Sequence, residues 1–194
     1  MKRDARAALI SRLEERFRWL TVALYDTSVP PAEVDAALRP YLADDVRFVD
    51  PWQTEAGVQR YRLGLAGFHT MFRFHFELFQ LSVSLDEDGK RGRCIADGVM
   101  HLKQFAPLLT YPLRTILTYE FVVEDAGDDV RPVRFRIHHH EEMWSFGDML
   151  AAVPVTGWLY AKLFRPAFAR GFLVASWLSA RLKGALPART AGRT

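Results

Sequence analysis

A single cysteine, Cys94, in 194 residues leaves no internal disulfide and no cysteine spacing for a metal. No apolar run reaches the roughly 18 residues that a membrane-spanning helix needs. Near the start, Lys2 and Arg3 are followed by Asp4, Arg6, Arg12, Glu14 and Glu15. These charges interrupt any apolar core of a secretory signal, so a cytoplasmic protein is expected. There is no Gly-rich phosphate loop and no Ser-His-Asp or Cys-His arrangement. Zinc-finger, RNA-recognition and helix-turn-helix signatures are also missing, so nucleic acid is not an expected partner, and no cofactor is expected. The most unusual absence is acid: none follows Asp148. Seven basic residues lie beyond Val155, so the remainder of the chain holds 19 basic and 23 acidic residues, a net of −4. The basic pI therefore belongs to the tail and points to an anionic surface there.

What is present suits a soluble globular chain, 49% apolar and 25% charged. Leu9, Leu13, Phe17, Leu20 and Leu24 recur at helical spacing and predict a helix over 6–26. Pro30-Pro31 ends it, and a short helix over 31–42 follows. A strand over 46–51, closed by Pro51, precedes a helix over 57–72 in which Tyr61, Leu65, Phe68 and Phe72 share a stripe. The period then changes to two. Phe79, Leu81, Val83 and Leu85 alternate with polar residues up to the turn at 86–89. Strands are expected over about 91–105, 111–124 and 130–144, then helices divided by Pro154 and Pro166. Segregated helices and a long antiparallel meander indicate an α+β fold. The expected domains are an α+β domain over 1–155 and a basic helical extension with a flexible tail over 156–194.

Two segments carry a resemblance. Ala43-Asp44-Asp45-Val46-Arg47-Phe48-Val49-Asp50-Pro51 is similar to the first-strand pattern of the nuclear transport factor 2-like superfamily. His138-His139-His140-Glu141-Glu142-Met143-Trp144-Ser145, with Ala152-Val153-Pro154 beyond it, resembles the SnoaL-like branch. The likeness spans about residues 8–155. It implies a cone-shaped barrel of curved antiparallel sheet wrapped around the N-terminal helices, a ligand cavity, and often a homodimer. The superfamily hosts isomerases, cyclases, dehydratases and non-catalytic binders, so the resemblance does not fix an activity. Asp50 matches the position of the general base in ketosteroid isomerases, and Tyr25 resembles their first oxyanion donor. Their second donor, a late aspartate, has no counterpart: the stretch reads Leu117-Thr118-Tyr119-Glu120. Cyclases of this branch commonly carry an aspartate after the Trp, where Ser145 stands here.

The residues themselves leave Asp50 open between two roles. It ends an apolar strand face, where a carboxylate is costly to bury without a partner. It either caps a local turn, as Asp before Pro does, or stands in a pocket with its basicity raised. Strict alternation from Phe135 and Ile137 puts His139 and Glu141 on the cavity face, as an acid to set beside Asp50. The other parity gathers His138, His140 and Glu142, a set that could ligate a metal, although solvated residues are the simpler reading and no metal is expected. His69 and His75 are read as partly exposed, Cys94 as a small core residue. Trp52, Tyr61, Phe68, Phe72, Tyr119 and Phe135 are expected to line an aromatic pocket for a small hydrophobic molecule of polyketide, steroid or terpenoid type. The chemistry such a site suits is proton transfer: isomerisation, cyclisation or dehydration. The rival reading is a lipid-binding or membrane-peripheral protein. In it, the Trp, Phe and Leu residues of 156–183, interleaved with basic ones, form an amphipathic helix on an anionic membrane.

Overall fold

The computed structural model describes residues 3–103, 111–128, 131–152 and 154–185. The leucine–phenylalanine stripe builds α1 (Arg3–Leu24), and Leu9, Leu13, Phe17, Leu20 and Leu24 are all buried. Pro31 opens α2 (Pro31–Leu38), where a missing amide hydrogen is harmless. A short 3-10 turn leads into β1 (Leu42–Val49), which ends one residue before Asp50. A three-residue strand, β2 (Thr54–Ala56), pairs back on β1; nothing in its composition announced it. Gly57, at φ 94°, turns the chain into α3 (Val58–Met71). The meander follows as β3 (Phe74–Leu85), β4 (Arg91–Leu102), β5 (Tyr111–Asp125) and β6 (Arg134–Trp144).

The six strands form one sheet in the order β2-β1-β6-β5-β4-β3. The α+β architecture is the one expected; the sheet is mixed where an antiparallel one was read, because β1 lies parallel to β6, and it does not close into a barrel. A parallel neighbour needs a long crossover, and the 84 residues from Val49 to Arg134 supply one. α1 packs on β3 and β4, and the space between sheet and helix is filled by rings at one end. There Phe17 lies 4.6 Å from Phe135 and 4.9 Å from Phe121, and Tyr41 lies 5.0 Å from Phe135. Cys94 and Ala96 fill the inner face of β4, as small core residues should.

The pairing of β5 with β6 is irregular at one place near the pocket. β5 and β6 pair one-for-one until Glu120 meets His139; the next pair is Phe121 with Ile137, which leaves His138 opposite no residue. This is a β-bulge, and it reverses the parity of β6. Phe135 and Ile137 point inward before it, His140 and Glu142 after it.

The chain divides into two compact units, Met1–Phe146 and Gly147–Thr194. The second contains α4 (Phe146–Ala152), which begins at the junction, α5 (Pro154–Leu159), a π-helical turn over Tyr160–Phe164, and α6 (Arg165–Ala185). The residues expected to form the flexible end of the tail, with Arg189 and Arg193, lie outside the described residues.

Candidate functional site

The end of α1, the end of β1, α3 and the middle of β6 enclose a small pocket that opens to solvent. Leu24, Phe48, Leu65 and Phe68 give it an apolar wall. Its polar groups are Tyr25, Tyr61, His140 and Glu142, with Asp50, Gln53, Glu55 and Arg60 completing the lining. β6 delivers His140 and Glu142 because the bulge at His138 turns them in. α1 delivers Tyr25 one residue past its last turn, and the first turn of α3 delivers Tyr61.

These four side chains form one hydrogen-bonded chain. The Tyr61 hydroxyl lies 2.8 Å from His140 Nδ1, and the Tyr25 hydroxyl lies 3.1 Å from His140 Nε2. Tyr25 also donates a short hydrogen bond to Glu142 Oε1. Both ring nitrogens of a histidine that is only 1% exposed are therefore partnered. Behind it, Tyr119 stacks on the imidazole at 4.5 Å, and its hydroxyl accepts a hydrogen bond from Thr21. Phe48 packs against the imidazole at 5.2 Å.

Burial sets the protonation of the chain. Removed from water, the His140 ring resists a charge and its pKa falls to about 3, with neighbouring His139 adding to the effect. Burial also pushes the Glu142 carboxyl up to about 7; nearby Asp50 adds to the rise, and hydrogen bonds from Tyr25 and Trp144 oppose it. The hydroxyls of Tyr25, Tyr61 and Tyr119 are driven well above the ordinary tyrosine value, burial being the largest cause in each. The site thus holds one group that titrates near neutrality, Glu142, wired to three that do not.

The expected site residues separate into three sets. Tyr25, Tyr61 and Phe68 line the pocket. Asp50 lines its mouth, but its carboxylate also caps a turn: Oδ1 accepts from the amides of Trp52 and Gln53 at 2.7 and 2.8 Å, and Oδ2 from the Gln53 side chain at 3.1 Å. Its carboxylate thus serves the turn while bordering the pocket. His139 and Glu141 do not face the pocket. They lie on the outer face of the sheet, 3.6 Å from each other, because the bulge moved them there. Nor do the remaining aromatics line it. Tyr119 stands behind His140, Phe135 belongs to the ring cluster around Phe17, and Phe72 packs on Phe68 at 4.9 Å. Trp52 is 54% exposed, edge-on to Trp144 at 4.8 Å. His69 is buried, with Nε2 2.7 Å from the Leu24 carbonyl, against the expectation of partial exposure. His75 is exposed and stacks on His101. His138 turns outward to Asp45, away from His140 and Glu142. Among the described residues no three His, Cys, Asp or Glu side chains come together as a metal site.

Sequence reasoning missed His140 and Glu142 as cavity residues because it carried one parity through the whole strand. The available signal was that 140, 142 and 144 share one parity, ending on Trp144, which packs against the core.

No protein-family model matches the sequence, and no curated protein matches it. Solved structures do. An NTF2-like protein of unknown function from Pseudomonas putida superposes with a TM-score of 0.51 at 17% identity, over 70% of this chain and 89% of that one. A candidate dehydratase of the NTF2-like family from Streptomyces avermitilis gives 0.50 at 13% identity, over 69% and 96%. The S. rosetta CaMKII hub gives 0.50 at 12% identity, over 70% and 96%.

The fold is nuclear transport factor 2-like.

The pocket lies among the end of α1, β1, α3 and β6. The neighbours include a candidate dehydratase and a kinase hub, so the fold leaves the activity to be argued from the chain Tyr61–His140–Tyr25–Glu142.

Proposed function

We propose that the pocket binds a small, largely apolar molecule carrying one carbonyl or hydroxyl oxygen, and that the protein catalyses proton transfer on it. The observation that carries this reading is a chain of buried hydrogen-bonding groups lining a pocket whose other walls are rings and leucines. An apolar wall with a few convergent polar groups is the ordinary form of a small-molecule site. The ligand oxygen sits at the Tyr61 hydroxyl. Asp50, at the mouth, accepts a proton from the carbon next to the carbonyl, and the electron pair moves to the oxygen as an enolate that Tyr61 stabilises. Isomerisation, dehydration and cyclisation all begin with such a step.

Binding is tested with 2-naphthol, a flat apolar molecule with one hydroxyl, by isothermal titration. Gly64 lies on the pocket lining, and a Cβ added there meets no atom within 4 Å, which leaves open space where a larger side chain starts. Gly64→Phe should therefore fold normally and occupy the pocket. One-site binding by the wild type and its loss in Gly64→Phe are expected; equal binding by both proteins would refute the assignment of the pocket.

A second reading concerns the C-terminal unit. Phe164, Phe168, Phe172, Leu173 and Val174 are each more than half exposed, and Lys162, Arg165 and Arg170 lie among them. The three consecutive apolar positions 172–174 span about 200° of the helix, so this is a broad apolar surface and not a narrow amphipathic stripe. No helix among the described residues is long and apolar enough to cross a membrane. We infer a helix lying in the headgroup region of an anionic membrane, apolar residues down and basic residues toward the phosphates. Flotation with vesicles containing phosphatidylserine decides it: binding at low salt that weakens as salt rises is expected, and an absence of binding at low salt rejects it.

A further inference from the structure

Each group in the buried chain has a limited number of protons to donate, and this arithmetic fixes its direction. A neutral imidazole has one N–H and one lone pair, and a tyrosine has one O–H. In the first arrangement Glu142 is ionised. Tyr25 must then donate to it, so the Tyr25 oxygen accepts from His140 Nε2–H. Nδ1 is left with a lone pair and accepts from Tyr61. The Tyr61 proton is committed inward, and the pocket sees only an acceptor oxygen. In the second arrangement Glu142 carries a proton and donates it to Tyr25. Tyr25 donates to Nε2, Nδ1–H donates to Tyr61, and the Tyr61 proton is free to enter the pocket. Both arrangements satisfy every group, and they use the same three contacts.

We propose that Glu142 acts on the ligand oxygen from the far end of this chain, with Tyr25 and His140 as a proton relay and Tyr61 as the point of delivery. The inference rests on the pocket reading above and deepens it by naming the groups that carry a proton to and from the ligand oxygen. The transfer balances. The ligand O–H proton passes to the Tyr61 oxygen as the Tyr61 proton passes to Nδ1. The Nε2 proton passes to Tyr25, and the Tyr25 proton passes to the Glu142 carboxylate. The ligand is left as an oxyanion facing the Tyr61 O–H, and Glu142 is left neutral. The reverse sequence protonates an enolate and releases an enol. His140 never becomes charged, which suits a ring surrounded by Phe48, Tyr119 and Tyr61.

Other titratable and charged groups border the chain on every side. Asp50 and Glu55 face it from the β1–β2 corner, Arg60 from α3, and Tyr119 from β5, with His139 adjacent on β6. Of these Asp50 acts directly on Glu142, favouring its neutral form.

The test reads the tautomer of His140 by nitrogen-15 NMR on the ligand-free full chain. As pH rises through the Glu142 titration, near 7, the ring proton should move from Nδ1 to Nε2 while the ring stays neutral. In Tyr25→Phe, which removes the link, the tautomer should no longer follow pH. A single tautomer from about pH 5 to about pH 9, or a ring that gains a second proton in that range, overturns the relay. The wild-type titration decides the matter even if the variant does not fold. If the tautomer fails to switch while 2-naphthol still binds, the relay is wrong and the pocket assignment stands. If the tautomer switches but 2-naphthol does not bind, the pocket assignment fails instead.

Discussion

Glu142 and His140 give this protein two opposed pH dependences. The His140 ring ordinarily titrates at 6.5 and is pushed down to about 3 in the fold. Between those values the unfolded chain holds the extra proton, so this residue makes stability fall as pH drops. Glu142 is displaced upward, from 4.5 to about 7, so the folded chain holds the extra proton and stability falls as pH rises through that window. From 4.5 to 6.5 the two contributions oppose each other, and wild-type stability should be nearly flat there. Glu142→Gln removes one of them. Its melting temperature should rise with pH across that range, and the wild-type decline approaching pH 7 should disappear. Thermal melts at stepped pH check this; a variant with the wild-type profile would mean that Glu142 is not held neutral by burial. Asp50 shows how far single residues were legible. Its sequence context offered a turn cap or a pocket acid, and its carboxylate serves a turn while bordering the pocket.

At the scale of elements, periodicity was a good guide wherever it ran unbroken. The stripe from Leu9 to Leu24 is the buried face of α1, and Tyr61 and Phe68 face inward from α3. Alternation matches burial along β4 and from Leu81 to Leu85 in β3, but Phe79, on the same parity, is 52% exposed because β3 is itself irregular between Leu78 and Gln80. It failed at β6 for a definite reason. A bulge adds one residue to one strand, and period-two reasoning has no term for it. His139 and Glu141 were expected inside, and one extra residue places His140 and Glu142 there instead. β2 was missed because three residues with no apolar pattern pair only by returning to β1. The parallel contact of β1 with β6 is likewise set by tertiary packing and leaves no local mark.

At the scale of the whole molecule, the outer face of the sheet carries apolar residues in a row. Phe79, Ile95, Ile116 and Met143 are each more than a third exposed and come from four adjacent strands, with Ile116 directly opposite Met143. Arg114 lies over the Phe79 ring and pairs with Asp97 at the same place. We propose that a second copy of the chain covers this face, since an apolar patch across four strands is the usual mark of an interface. Sedimentation should show a dimer that Ile116→Lys converts to monomer; a wild-type monomer at micromolar concentration would reject the proposal.

The most direct test of proton transfer in the pocket is hydrogen–deuterium exchange on 2-tetralone, an apolar ketone with acidic protons beside its carbonyl, followed by proton NMR in deuterated water. The wild-type protein should exchange those protons faster than buffer, with Asp50→Asn and Tyr61→Phe slower by at least about tenfold. Exchange at the buffer rate while the ketone is bound would contradict acid–base catalysis and leave a binding protein.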